Sequence, residues 1–181
     1  MAIKNTLHSY GFLAKLLHWV VALFIIGLLI VGTLMTDLQG AFKYKVYDIH
    51  KAFGIIVLAL VFIRFFWMLL NPKPLLPETM KPHEKLAAKL GHYSLYGLMF
   101  FIPFSGWIMS NSAGYGVSIF GVVNVPAIAA KSDALKDLAK EAHEISTSII
   151  IILLGVHVAA ALFHHFIKKD NVLKRMLPTH S

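Results

Sequence analysis

The chain has no cysteine and few charged residues. The absence of thiols excludes disulfide bonds, cysteine-held iron–sulfur clusters and haem attached covalently through cysteine. Charged residues make up only 14% of the 181 residues, whereas hydrophobic residues make up 57%. The mean hydropathy of +0.70 is far above that of a typical soluble domain. The composition therefore predicts an integral membrane protein.

Acidic residues are scarcer than basic ones, at nine against seventeen, which gives a formal net charge of +8. Eleven basic residues lie in the N-terminal segment, around the second connection and in the tail. They are Lys4, Lys15, Arg64, Lys73, Lys81, Lys85, Lys89, Lys168, Lys169, Lys174 and Arg175. The remaining six share the opposite loops with six acidic residues. The positive-inside rule thus predicts both termini in the cytoplasm, and we interpret the charge as contact with membrane lipid rather than nucleic acid.

Apolar runs predict four helices, each near the roughly 20 residues that cross a bilayer, over about residues 12–35, 52–70, 85–110 and 143–167. Pro103 and Gly106 lie in the third run, where we expect a kink and not an end. The first run lacks a small-residue cleavage site and is expected to be retained. The predicted fold is all-α, an integral membrane four-helix bundle that forms one domain over residues 1–181.

The connections are predicted from their turn-forming and charged residues. Four prolines between residues 71 and 82 predict an extended loop. The first half of the long connection over residues 111–140 is rich in Gly and Ser. Its second half, residues 132–141, alternates lysine with acidic residues and predicts a short surface helix capped by Ser132.

Four of the ten histidines stand out, because an ionisable group within a membrane span is costly and marks a functional candidate. His143 and His157 are 14 residues apart on the fourth helix. Nearly four helical turns separate them, so they share one face, with α-carbons about 21 Å apart. His50 opens the second predicted helix on the outer side, level with His143. His18 lies early in the first helix, at the inner depth of His157.

Two level pairs of imidazoles match what six-coordinate haem iron requires, which is one axial ligand on each side of the ring. We predict His50 with His143 for an outer haem b, and His18 with His157 for an inner haem b. The haems would lie between the helices. The alternative is that each histidine hydrogen-bonds another helix, or meets water at the interface.

His92 and Arg64 lie at the inner depth as well. His92 competes with His18 for the inner haem. It is interpreted here as a quinone or propionate contact, with a polar contact between helices as the alternative. Arg64 follows His50 by 14 residues and is predicted to bond a haem propionate. Its alternative is to extend to the inner head groups.

Two glycines lie near the predicted ligands. Gly54 is one turn from His50, and Gly155 is close to His157. A flat ring would approach the backbone at these positions, although small residues also serve ordinary helix packing.

The sequence resembles the bacterial cytochrome b561 family along almost its whole length. The residues that carry the resemblance are His18-Trp19, His50, Gly54, Arg64, Gly91-His92, Tyr96, Pro103, Gly106, His143-Glu144, His157, His164-His165, Lys169-Asp170-Asn171, Leu173, Arg175-Met176 and Pro178. The resemblance implies four helices, two non-covalent b haems and electron exchange with ubiquinone in the bacterial inner membrane. The axial ligands that it implies are His18, His50, His143 and His157. It also makes His92 and His164 candidate quinone-site residues.

The family includes a superoxide:ubiquinone oxidoreductase, so the resemblance predicts oxidation of periplasmic superoxide and reduction of ubiquinone. The reverse direction, from quinol to an outer acceptor, uses the same parts. The alternative is a non-catalytic relay or membrane-anchor subunit for a periplasmic redox protein or a hydrogenase-type complex. The outer loops are balanced in charge, so only Lys43, Lys45 and Lys51, near His50, offer a local positive surface to an anion.

Overall fold

A computed structural model describes residues 2–178 of the chain. Met1 and residues 179–181, the two ends of the predicted domain, lie outside the described residues. The long helices are α1 Phe12–Leu34, α2 Gly40–Leu70, α3 Pro82–Ser112 and α4 Asp133–Phe163. Strands β1 Val117–Ile119 and β2 Val123–Val125 form an antiparallel hairpin between α3 and α4. Each helix packs mainly on its neighbours in sequence, as in an up-and-down bundle.

The outside of the bundle is apolar. Within residues 2–178, three helical segments are long and apolar enough to cross a membrane, namely Phe12–Asp37, Gly40–Leu70 and Asp133–Lys168. Only 11 to 17% of their most apolar stretches is buried inside the protein. Large side chains such as Leu23 and Ile152, each 67% exposed, point away from the bundle. Apolar surface of this extent suits lipid and not water, so the predicted helical membrane bundle is confirmed.

All four helices contribute to the buried core, which consists of Val21, Ile25, Val57, Val61, Leu95, Met99 and Ile150. Val61 and Ile150 are almost fully buried. Ile150 lies seven residues from both His143 and His157, which places it about 10.5 Å from each along the helix axis. The apolar core therefore separates two levels of histidine.

The two ends of the bundle differ. One end, the terminal end, carries the N-terminal segment, the α2–α3 loop and the C-terminal tail. Asn5 Nδ2 donates to the Pro72 carbonyl at 3.1 Å, and Trp19 Nε1 donates to the Met176 carbonyl at 2.8 Å. The first bond connects the N-terminal segment to the α2–α3 loop, and the second connects α1 to the tail. The opposite end, the hairpin end, carries the β1–β2 hairpin and the turn Met35–Asp37.

Helix α2 begins twelve residues earlier than predicted. It starts at Gly40, whose φ of +68° suits glycine, and runs without interruption to Leu70. Charged residues over 40–51 interrupt the apolar pattern, but no proline interrupts the helix. The prediction that His50 opens this helix is therefore wrong, because His50 lies well inside it.

Helix α4 also begins earlier than predicted. Residues 132–141 do not form a separate surface helix but the first turns of α4, since no glycine or proline occurs before Gly155. Ser132 is the cap as predicted, with its hydroxyl accepting from the Leu135 N–H at 3.3 Å. At the other end, the α-helix changes at His164 into a π-helical turn that ends at Lys168.

The remaining differences concern proline and glycine. Pro82, predicted in the extended loop, is the first residue of α3, a position that proline tolerates well. Pro103 lies within α3 and does not end it, as predicted. The hairpin between α3 and α4 was not predicted. Phe120 and Gly121 form its turn with φ of 52° and 74°.

Candidate functional site

His143 is held at the hairpin end by one turn of α3. Its Nδ1 lies 2.9 Å from the Ile102 carbonyl and 3.1 Å from the Ser105 hydroxyl. A Cβ added to Gly106 would lie 3.0 Å from the His143 ring, so the glycine allows this close approach. Donation from Nδ1 fixes the tautomer and leaves Nε2 free for a metal ion.

His50 lies at the same end, against α1. A Cβ added to Gly32 would lie 3.1 Å from the His50 ring, and His50 and His143 are close enough to interact electrostatically. Within the described part of the chain, His50 Nδ1 is buried without a hydrogen-bond partner, which is costly unless a ligand changes its surroundings. A groove of about 200 Å³ beside the ring is lined by Leu23, Phe24, Gly27, Leu28, Val31, Ile49 and Phe53. Apolar walls with one imidazole fit the edge of a porphyrin.

His18 and His157 approach each other at the terminal end. Their ring centres are 6.3 Å apart, although they lie on α1 and α4. Two imidazoles that share one metal ion through bonds of about 2 Å have ring centres about 6 Å apart. The spacing of this pair therefore fits a shared ion.

The same region contains a second imidazole in reach of His157. The His92 ring centre lies 5.5 Å from that of His157, and His92 Nδ1 donates to the Ala88 carbonyl at 2.6 Å, which leaves its Nε2 free. Arg64 Nη2 donates to His18 Nδ1 at 2.8 Å. Because a guanidinium cannot accept, the proton of neutral His18 is on Nε2, and metal binding there requires Arg64 to release this bond. Ring spacing favours His18 as the partner of His157, whereas the tautomer favours His92.

Arg64 lies beside two tyrosine rings, in addition to its bond to His18. Its guanidinium lies 5.5 Å from the centre of the Tyr96 ring, in cation–π geometry. Tyr10, just before α1, lies close enough to interact with Arg64 and Arg175. Burial raises the pKa of Tyr10, and the two positive charges oppose that rise. A carboxylate that entered here would find a guanidinium and a phenol as donors.

His164 lies beyond this cluster, at the end of α4. Its Nδ1 is 2.5 Å from the Asp170 carboxylate, and both side chains are largely buried. His164 follows His157 by seven residues, so both lie on the same face. The structure thus aligns three imidazoles on one side of α4, with His143 at the hairpin end and His164 at the terminal end.

Sequence reasoning missed several residues that hold these imidazoles. A Cβ added to Gly54 or Gly155 would meet no other atom within 4 Å, whereas Gly32 and Gly106 contact histidine rings from neighbouring helices. Gly106 and Asp170 are among the residues that carry the family resemblance, but the sequence predicted no function for either of them. The spacing of residues along one helix does not reveal contacts between helices. Only the residue pattern of the family could have pointed to these positions.

The fold is that of a helical membrane bundle in which imidazoles from different helices meet at two levels. The sequence model of the family described as prokaryotic cytochrome b561 matches residues 9–179. The chain is 35% identical over 179 residues to "Cytochrome b561 homolog 2" of Escherichia coli strain K12, covering 98% of this chain and 95% of the relative. It is 32% identical over 177 residues to the "Probable superoxide oxidase CybB" of Yersinia pestis, covering 94% and 96%. The chain belongs to the prokaryotic cytochrome b561 family of b-haem electron-transfer membrane proteins.

Proposed function

We propose that this cytochrome holds two b haems and transfers electrons from periplasmic superoxide to ubiquinone in the bacterial inner membrane. In this proposal His50 and His143 would hold one haem, and His18 and His157 would hold the other. The observation that carries it is the meeting of imidazoles from different helices at two levels of the bundle. In this orientation the terminal end faces the cytoplasm, in agreement with its excess of basic residues.

The protein's own contribution is to orient ligands and exclude water. A b haem, when bound, supplies an iron that accepts and releases one electron. The bond from His143 to the Ile102 carbonyl orients an imidazole whose Nε2 stays available. Between the two levels, the core around Val61 and Ile150 is apolar and almost fully buried.

The proposal that superoxide is the electron donor rests on one relative and on the lysines at the hairpin end. The relative described as a probable superoxide oxidase aligns with almost all of this chain, which supports superoxide as the donor. The nearby lysines give only a weak positive surface, however. Lys51 pairs with Asp48 at 2.8 Å and also bonds the Gly116 carbonyl at 3.4 Å, while Lys43 bonds the Thr36 carbonyl at 3.2 Å. A cleft of about 440 Å³ at this end has Lys45 in its wall.

The acceptor side is assigned to the terminal end. Arg64 is proposed to bond a haem propionate, and the proposed ubiquinone contacts are His92 and His164, each of which donates a hydrogen bond from Nε2 when its ring is protonated. Quinone carbonyl oxygens accept such bonds, and reduction of the quinone requires protons as well as electrons.

The pairing of Lys51 with Asp48 favours a second candidate. A surface with little net positive charge gives little steering to an anion. In this alternative the chain is a relay or anchor subunit for a periplasmic redox protein or a hydrogenase-type complex. The exposed tip of the hairpin, where Val122 is 85% exposed, would then face the partner.

An assay of the purified protein in liposomes that contain ubiquinone decides between the superoxide-oxidising enzyme and the relay subunit. Superoxide is generated enzymatically, and haem reduction and ubiquinol formation are followed with and without superoxide dismutase. We expect ubiquinol to form without any partner protein and to stop when the dismutase is added. No dismutase-sensitive ubiquinol, together with co-purification of a periplasmic subunit from the native membrane, would favour the relay.

A further inference from the structure

The structure builds an imidazole–carboxylate pair where α4 ends. The π-helical turn His164–Lys168 is followed by Lys169 with φ of 55°, a left-handed conformation that reverses the chain. This reversal brings Asp170 back to His164. The Asp170 N–H donates to the His164 carbonyl at 3.2 Å, and Asp170 Oδ2 accepts from His164 Nδ1 at 2.5 Å. The other oxygen, Oδ1, accepts from the Val172 N–H at 3.0 Å.

Both side chains of the pair are protected from solvent. The exposed fraction is 12% for His164 and 11% for Asp170. A carboxylate at Nδ1 fixes the imidazole orientation and keeps the proton on Nδ1 in the neutral form. Single π-helical turns and strained left-handed residues occur often at functional positions. The pair therefore holds the His164 ring in a fixed orientation.

The position of His164 on α4 relates the imidazole–carboxylate pair to His157. His164 lies on the face that carries His157, about 10.5 Å further toward the terminal end along the axis. The tail is secured around it, since the Trp19 indole bonds the Met176 carbonyl and Arg175 bonds the Leu75 carbonyl. His164 thus lies between the inner imidazole cluster and the solvent at the terminal end.

We propose that Asp170 is a positioning residue for His164, and that His164 donates a proton to a carbonyl oxygen of ubiquinone. This inference rests on the proposed function. Reduction of one ubiquinone takes up two electrons and two protons. The electrons come one at a time from two superoxide ions, each oxidised to dioxygen. The Nε2–H bond of protonated His164 breaks as an O–H bond forms on the facing carbonyl, and the other carbonyl takes its proton from solvent water.

The test compares two carboxylates of the same end. Asp170→Asn keeps the shape but removes the charge, and Asp170→Glu restores it. Glu84→Gln is the matched control, because Glu84 pairs with Lys168 of the same turn at 2.9 Å and anchors the tail without touching His164. Haems are first reduced chemically, and their oxidation by ubiquinone-1 is followed by stopped flow in H₂O and in D₂O.

We expect Asp170→Asn to slow ubiquinone-dependent oxidation about 10- to 100-fold, mainly in kcat and not in KM, with a larger solvent isotope effect. Asp170→Glu should recover part of the rate, and Glu84→Gln should resemble the wild type. A readout without ubiquinone is the ¹⁵N NMR spectrum of His164. Its neutral form should carry the proton on Nδ1 in the wild type and become a tautomer mixture in Asp170→Asn.

Two contrary results are distinguishable. If Asp170→Asn slows oxidation no more than Glu84→Gln and leaves the tautomer unchanged, Asp170 only anchors the tail and this inference is wrong, while the proposed function stands. If the reduced wild type does not react with ubiquinone, the proposed acceptor is wrong and the inference is overturned with it.

Discussion

The two ends of the bundle hold their imidazoles by different means. At the hairpin end the rings are held by close packing against glycine. The His50 ring packs on Gly32, and the His143 ring packs on Gly106. At the terminal end, His18 is bonded by an arginine, and two imidazoles lie near His157. A site defined by close packing leaves one choice of ligand. A site held by side-chain hydrogen bonds allows several, which suits the proposed exchange of protons as well as electrons at this end.

The largest difference between the two ends should appear when His143 is removed, because its ring has the best-defined contacts of the proposed ligands. We expect His143→Ala to lower the haem content from two per chain to one, because the hairpin-end pair loses a ligand while the terminal-end pair keeps both. The pyridine haemochrome assay of the purified variant measures this. His165→Ala is the control and should keep both haems. Retention of both haems in His143→Ala would remove His143 from the ligand set.

A second pair of variants addresses the competition at the terminal end. We expect His18→Ala to lose the inner haem. His92→Ala should keep two haems with bis-histidine electron paramagnetic resonance signals and slow the reduction of ubiquinone. The opposite pattern would show that the free Nε2 of His92 matters more than the 6.3 Å ring spacing of His18 and His157.

The third prediction concerns the glycine contact at the hairpin end. A Cβ at position 106 would meet the His143 ring at 3.0 Å, which is too close for the well-packed ring to stay in place. We expect Gly106→Ala to lower the free energy of unfolding by about 1–3 kcal/mol and to shift the signals of the outer haem. Thermal unfolding followed at the Soret band measures the stability.

Gly97→Ala in the same helix is the matched control, because its added Cβ would meet no other atom within 4 Å. It carries the same gain in helix propensity without the ring contact. Equal stability of the two variants would contradict a packing role for Gly106.

The smallest effect is expected from surface charge. Replacing Lys43, Lys45 and Lys51 by glutamine should slow haem reduction by superoxide about two- to tenfold at low salt and weaken its salt dependence. The effect is limited because Lys51 is already paired with Asp48. Quinol-driven haem reduction should not change. Glutamine at Lys81, Lys85 and Lys89 gives the same change in net charge at the terminal end and should leave the superoxide rate unaltered.

The membrane helices could be predicted from sequence because lipid imposes long apolar runs. The helical extensions could not, since the charged residues over 40–51 and 133–142 hide these turns from a hydropathy pattern, although nothing there breaks a helix. The hairpin could not be predicted from hydropathy either, because it depends on the positive φ angles of Phe120 and Gly121.

The candidate site divides in the same way. The 14-residue spacing of His143 and His157 places them on one face, and this follows from helix geometry alone. The bond from Arg64 to His18 and the cradle at Gly106 depend on how two helices rotate against each other. Spacing along one helix does not fix that rotation, so the sequence alone does not distinguish the contacts of His18 from those of His92.

The haem content of the wild type tests the central proposal most directly. Purified protein is assayed by pyridine haemochrome, and its concentration is determined by amino-acid analysis. Two level pairs of imidazoles predict two b haems per chain, both low-spin. A content of one haem or none would contradict the account.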